Sequence, residues 1–210
     1  MHLDHITFVA GPEGFEAAIE NLESQLRGRF SEPGIHPRHG TRNAMLPLAD
    51  GRYLQVTEAL EHPVTEKMPY GQAVRARSED GGGWFGWVVS VPDMMPIERR
   101  VGHKAIDGAV QMPTGEWIRW RQLGMRGMIA DPQLPYFIKW EFGRETMPDE
   151  PKPIRLIELI VVGARLRVEQ WLGTTVSEYF DGVRLNFSSQ SGQPGIAAAI
   201  FETDDGLVRI

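Results

Sequence analysis

Several side chains in this sequence stand where they could do chemistry. His5 lies just inside an apolar stretch, Leu3-Asp4-His5-Ile6-Thr7-Phe8-Val9. An imidazole there can take a proton, ligate a metal or hydrogen-bond a ligand; its bland alternative is a buried histidine satisfied by neighbours. Asn43 and Gln55 fall on two segments that read as neighbouring strands. Amides turned inward there would orient a ligand through hydrogen bonds, and turned outward they are ordinary edge residues. Lys139 sits between Ile138 and Trp140. A lysine flanked in this way either snorkels to water or serves a site. Trp84, Trp87, Trp117, Trp120 and Trp140 are five of the six tryptophans. They could wall an apolar pocket or simply fill the core. Arg119 and Arg121 share the face of Trp117, opposite Trp120; an inward Arg121 would bind an anion. His36 and His39 form a His-x-x-His pair with Pro37 between them, which leaves their joint use as metal ligands uncertain in geometry.

Other chemistries are excluded. The chain has no cysteine, so there is no disulfide, thiol nucleophile or thiolate metal site. Gly81-Gly82-Gly83 precedes a strand instead of joining a strand to a helix, which is the wrong context for a phosphate loop. No Gly-x-Ser-x-Gly elbow is present. A formal charge of −6 argues against nucleic acid as a main partner. No apolar run approaches the roughly 20 residues that span a bilayer. Asp4 and His5 interrupt any basic-then-apolar leader pattern, so a cytoplasmic location is the expectation.

The elements that must position these residues follow one plan used three times. Residues 1–62 read as β-α-β-β-β. The His5 strand comes first, with His5, Thr7 and Val9 on one face and Asp4, Ile6 and Phe8 on the other. Phe15, Ala18, Ile19, Leu22 and Leu26 recur at helical spacing over 14–27, and Gly28 marks the stop. Strands follow at 41–48 and 52–60, joined by Asp50-Gly51. Residues 63–83 read as a linker with a short helix at 72–77. Residues 84–146 repeat the plan, with strands at 84–91, 109–112, 117–125 and 136–142 and a helix at 94–102. A proline-rich joint at 147–153 precedes a shorter third unit, 154–210. In it we expect strands at 154–162, 183–188, 195–203 and 207–210 and a helix at 166–172. The fold class is therefore α+β: tandem βαβββ units forming a cupped mixed sheet, plus a smaller third βαβββ-like unit.

Leu3-Asp4-His5-Ile6 at the start and Tyr53-Leu54-Gln55-Val56-Thr57-Glu58 at the close of the first unit resemble the vicinal oxygen chelate superfamily. Gly40-Thr41-Arg42-Asn43-Ala44-Met45-Leu46, Gly82-Gly83-Trp84-Phe85-Gly86-Trp87 and Asp131-Pro132-Gln133-Leu134-Pro135-Tyr136-Phe137 resemble, more narrowly, its glyoxalase-like domain branch. The resemblance covers about residues 2–142, and 154–210 only by pattern. It implies a cup in which each unit offers a metal ligand from its first strand and one from its last. Matched by position, these are His5 and Gln55 in the first unit. In the second they are Gly86, seven residues before Asp93, and Lys139, with Glu141 two residues on. Gly86 has no side chain and Lys139 is a cation, so the metal set is incomplete.

The resulting expectation is a glyoxalase-like protein that binds a small, anionic organic molecule between aromatic walls. Asn43, Gln55, Trp87, Trp120, Arg121 and Glu141 are the expected ligand contacts. His5 would act as base and Lys139 would steady a developing enolate in a lyase or isomerase step. No cofactor is expected on this reading. One alternative keeps a divalent metal through His5, Gln55 and Glu141. Another is a sequestering protein similar to bleomycin-resistance proteins, which binds without turnover. The expected partners are a small molecule and a second copy of the chain in a homodimer, with no nucleic acid and no membrane.

Overall fold

The computed structural model describes residues 1–111, 115–143, 154–188 and 192–210. The first unit runs β1 (His2–Val9), α1 (Phe15–Leu26), β2 (Gly34–His36), β3 (Thr41–Pro47) and β4 (Tyr53–Ala59). Next comes α2 (Pro69–Glu79), and then the second unit: β5 (Gly83–Ser90), α3 (Met95–Val101), β6 (Ile106–Gln111), β7 (Trp117–Leu123), α4 (Met125–Ala130) and β8 (Tyr136–Phe142). The rest of the chain holds β9 (Arg155–Val162), α5 (Arg165–Leu172), β10 (Tyr179–Phe180), β11 (Val183–Ser188), β12 (Gly195–Thr203) and β13 (Gly206–Arg209). Among the described residues no helix is long and apolar enough to cross a membrane.

Strands β1 to β8 form one mixed sheet in the order β2-β3-β4-β1-β5-β8-β7-β6. β1 lies parallel to β4, β5 lies parallel to β8, and β1 and β5 meet antiparallel at the centre. Each unit thus contributes half of the sheet. The halves curl until their outer strands meet: the Arg38 guanidinium after β2 donates to the Asp107 carbonyl on β6. The His36 ring of β2 lies 6.1 Å from the Trp120 ring of β7.

The two faces of the sheet carry different residues. Leu3, Ile6, Leu46, Leu54, Trp87 and Phe137 point to the outer face, where α1, α3 and a second sheet cover them. His5, Gln55, Tyr136, Ile138 and Trp140 point into the cup. β1 departs from strict alternation. Its pairing with β5 slips between Leu3 and His5, a β-bulge that adds one residue at Asp4. Asp4 therefore does not share the outer face with Ile6 and Phe8.

The second sheet has the order β10-β11-β9-β12-β13. It repeats part of the first: β9 is parallel to β11, and β12 lies antiparallel to β9 as β5 does to β1. Arg52, 5 % exposed, ties the sheets together. Its guanidinium binds Asp50 at 3.0 Å and Asp181 at 2.8 Å, and the Asp181 carboxylate also accepts the Leu3 N–H at 3.0 Å.

Several expectations need correction. Segment 63–83 carries an eleven-residue helix, longer than the short one expected at 72–77, and its Tyr70 and Val74 are buried. Helix α4 starts on Met125, the last residue of an expected strand, and fills 126–130, to which the sequence assigned no element. Arg27, at φ 57°, is the left-handed residue that ends α1, one position before Gly28. Strands β2 and β10 are too short for period-two alternation to register. The proline-rich joint at 147–153 and residues 112–114, which include the end of the strand expected at 109–112, lie outside the described residues.

Candidate functional site

A cavity of about 270 Å³ occupies the cup. His5, Asn43, Met45, Tyr53 and Gln55 line one wall, from β1, β3 and β4. Trp120, Gln122, Tyr136, Ile138 and Trp140 line the other, from β7 and β8. Tyr70 of α2 and Met125 of α4 close one side, and residues 31–34 with His36, His39 and Thr41 form the outer end.

At the floor, three side chains form a chain. His5 Nδ1 lies 2.8 Å from Asp4 Oδ1, and His5 Nε2 lies 3.4 Å from the Tyr136 hydroxyl. The other carboxylate oxygen of Asp4 accepts from Trp140 Nε1 at 2.7 Å. The His5 ring stacks on Tyr53 with centroids 4.3 Å apart. A carboxylate can only accept, so it selects the tautomer with the proton on Nδ1 and leaves the lone pair on Nε2. Asp4 and His5 are 1 % and 2 % exposed, so water does not compete for this geometry. Burial pushes the Tyr136 phenol well above its ordinary pKa, and nearby Tyr70 and Asp4 push it further. Burial also raises Tyr70, against the pull of its hydrogen bonds to Thr57 and Gln55. Both phenols therefore stay protonated and able to donate near neutral pH.

Asp4 was missed by strict alternation. The signal for it was present: two adjacent polar residues, Asp4 and His5, interrupt an otherwise apolar strand, which is how a bulge announces itself. Tyr70 and Tyr136 carried no signal separable from core aromatics.

The expected site residues divide into two groups. His5, Asn43, Gln55 and Trp120 line the cavity. Asn43 and Gln55 lie on the paired strands β3 and β4, and Asn43 Oδ1 accepts from Thr57 at 2.7 Å. Trp87, Arg121, Lys139 and Glu141 do not line it. Trp87 is fully buried on the outer face, its Nε1 donating to the Gln133 carbonyl at 3.0 Å. Arg121 binds Glu98 at 3.0 Å on the outer face, and Lys139 is its partner across β7 and β8. Glu141, two residues from Lys139 on β8, shares that outward face and is exposed.

The error lies in register. Thr7 pairs with Gln55, and Val88 pairs with Tyr136. If Gly86 corresponds to His5, then Val88 corresponds to Thr7 and Tyr136 corresponds to Gln55. Lys139 is three positions further on, an odd step that turns a side chain to the opposite face.

The four superfamily metal positions are thus His5, Gln55, Gly86 and Tyr136. This set does not fit a divalent ion, which needs about three protein donors. Asp4 holds His5 Nδ1, so Nε2 is the one donor His5 could offer. A Cβ built on Gly86 would stand 2.3 Å from Met128 Sδ, so Met128 fills the space a ligand side chain would need. Among the described residues no three His, Cys, Asp or Glu side chains converge. The alternative set His5, Gln55 and Glu141 fails because Glu141 faces away. Among the described residues no lysine or arginine lines the cavity, and the two cations expected to hold an anionic ligand, Arg121 and Lys139, stand on the outer face.

A family model described as "Glyoxalase-like domain" matches residues 3–176. The chain belongs to that family. No curated protein matches it. Solved structures similar to this glyoxalase-like chain include methylmalonyl-CoA epimerase from Mycobacterium tuberculosis, at 16 % identity over 69 % of this chain and 90 % of that one, TM-score 0.45. A variant of the Streptomyces coelicolor epimerase in complex with 2-nitronate-propionyl-CoA is 17 % identical over 67 % and 96 % of the two chains, TM-score 0.44. A hypothetical protein from Bacillus halodurans is 16 % identical over 67 % and 94 %, TM-score 0.44. The glyoxalase-like match covers both units of the large sheet and extends through α5.

Proposed function

We propose that this glyoxalase-like chain binds a small organic molecule in its cup and moves a proton on it without a metal. The observation that carries this reading is the Asp4–His5–Tyr136 chain opening on the cavity. Asp4 holds the His5 tautomer, so Nε2 is the base. A carbon acid beside a carbonyl group would lose its proton to Nε2, and Asp4 would stabilise the imidazolium that forms. The developing enolate oxygen would accept from the Tyr136 hydroxyl, with Tyr70 near it; neutral phenols in a buried cup are effective donors. Returning the proton to the same or a neighbouring carbon gives an isomerase outcome, and expelling a leaving group gives a lyase outcome.

A second reading, sequestration without turnover, draws on the aromatic wall: the Trp120 and Trp140 rings pack on each other, centroids 5.9 Å apart, and present an apolar surface for a ligand to lie against. Incubating the protein with small ketones in D₂O and following α-deuteration by NMR separates the two. Exchange that is lost in His5→Gln supports proton transfer. Ligand-induced stabilisation without exchange supports sequestration. Exchange that disappears after chelation and returns with added Zn²⁺ or Mn²⁺ would sink the metal-free reading.

A further inference from the structure

The outer end of the cavity has polar groups that the proposed chemistry does not use. His39 Nδ1 and Thr41 Oγ1 are buried and have no hydrogen-bond partner. Their residues are 9 % and 0 % exposed, and both line the cavity. Two amide oxygens of the cup are already occupied: Gln122 Oε1 accepts from Trp120 at 2.8 Å and Asn43 Oδ1 from Thr57 at 2.7 Å. Buried polar atoms are costly unless paired, so two unpaired ones on residues that line a cavity point to a ligand group.

The couple is also held in place. The turn before β3 closes with the His39 and Gly40 N–H groups on the His36 carbonyl, at 3.0 and 3.1 Å. The Thr65 hydroxyl lies 2.9 Å from the Gly40 carbonyl. A Cβ on Gly71 would stand 2.4 Å from the His39 carbonyl, so only glycine lets α2 pack this closely on the turn. Register puts the couple at the far end of the cup: His5 pairs with Tyr53 at the start of β4, and Thr41 pairs with Ala59 at its end.

We propose that His39 Nδ1 and Thr41 Oγ1 form a second subsite that takes an uncharged hydroxyl or carbonyl group at the remote end of the ligand. This deepens the reading above and rests on the cup being the substrate site. The physical argument is charge. Burial, then the Arg38 charge, holds His39 below its ordinary pKa, and among the described residues no lysine or arginine lines the cavity. Arg38, whose charge reaches His39, is already engaged by the Asp107 carbonyl, so an anion there would meet a neutral imidazole and a hydroxyl and recover little of its lost hydration. A neutral imidazole and a hydroxyl together offer both a donor and an acceptor, which matches an alcohol, a phenol or an amide carbonyl. The ligand class is therefore a neutral, elongated carbonyl compound with a polar group far from the reacting carbon, lying against the wall that Trp120 and Trp140 form.

The test uses methyl ketones that carry a para-hydroxyphenyl group at increasing chain length. Matched phenyl and para-carboxyphenyl series serve as controls, and binding is read by calorimetry. At the best length the hydroxyl compound should bind about tenfold or more tighter than its phenyl partner, and the carboxylate weakest. Thr41→Val and His39→Phe should each collapse the hydroxyl preference to near unity, and Thr41→Ser should keep it. Thr41→Val should also raise the Tm of the ligand-free protein, by about 2–4 °C, because it removes an unpaired buried hydroxyl. A carboxylate that binds tightest, a preference that survives Thr41→Val, a lowered Tm for that variant, or no binding in any series overturns the subsite. α-Deuteration in the same samples reads His5 separately. A hydroxyl preference without exchange upholds the subsite and removes the proton-transfer reading; exchange without a preference does the reverse.

Discussion

At the scale of single residues, Asp4 decides what His5 is. Without the carboxylate the imidazole has no reason to keep its proton on Nδ1. Asp4→Asn should lower the α-deuteration rate by roughly 10²–10⁴-fold with little change in KM, because tautomer and imidazolium stability are lost while the cavity shape is kept. An unchanged rate by NMR would assign the base elsewhere. Met128 makes a second point. It fills the space that Gly86 leaves, and the two act as one packing unit. Gly86→Ala should cost about 1–3 kcal/mol in urea unfolding, since Met128 is 1 % exposed and has little room to move. Met128→Ala in that background should cost less than it does alone, with a coupling of about 0.5–3 kcal/mol. Strict additivity would mean that Met128 relaxes freely.

At the scale of elements, β2 and its turn carry a pH dependence. Burial, and then His39, push His36 down to about 4, from an ordinary 6.5. Above 6.5 the residue is neutral folded or unfolded, and stability is full. As the pH falls through 6.5 the unfolded chain takes a proton that the native chain refuses, so stability declines until native His36 titrates near 4. Urea midpoints should therefore fall between those limits, and the fall should shrink in His36→Gln, read against the same buffers. Lys139 shows what element-scale reasoning missed. The residues of β8 read correctly as a strand, but a three-residue error in matching it to β4 reversed every face. Pairing between strands far apart in sequence fixes that register, and periodicity along one strand does not.

At the scale of the whole molecule, the second sheet covers the outer face of the first and pins the start of β1. Asp181 accepts from the Leu3 N–H and from Arg52, so the strand that carries Asp4 and His5 is anchored from the other sheet. The Trp84 indole donates to the Ile210 carbonyl at 3.1 Å, a second tie between the sheets. Arg52→Ala should cost about 2–4 kcal/mol, less than a fully buried pair because Asp181 is 28 % exposed. If the anchor positions the site, the variant should also slow α-deuteration when measured well below its melting temperature. A loss of stability with the rate intact would make the tie purely structural.

By itself the sequence determined the α+β class, the tandem units and most strands, because alternation, helical spacing and turn residues are local signals that agree with one another. Through the superfamily resemblance it also placed His5 and Gln55 in the cup, while the faces of Asn43 and Trp120, which line it too, stayed open in the sequence. Only the tertiary structure decided the rest. It removed Lys139, Glu141, Arg121 and Trp87 from the cavity, brought in Asp4, Tyr70 and Tyr136, and filled the Gly86 position with Met128. Each of those outcomes depends on a bulge, on a register between distant strands, or on a helix from elsewhere in the chain. These are set by how the sheet closes, and no local stretch of sequence carries that information.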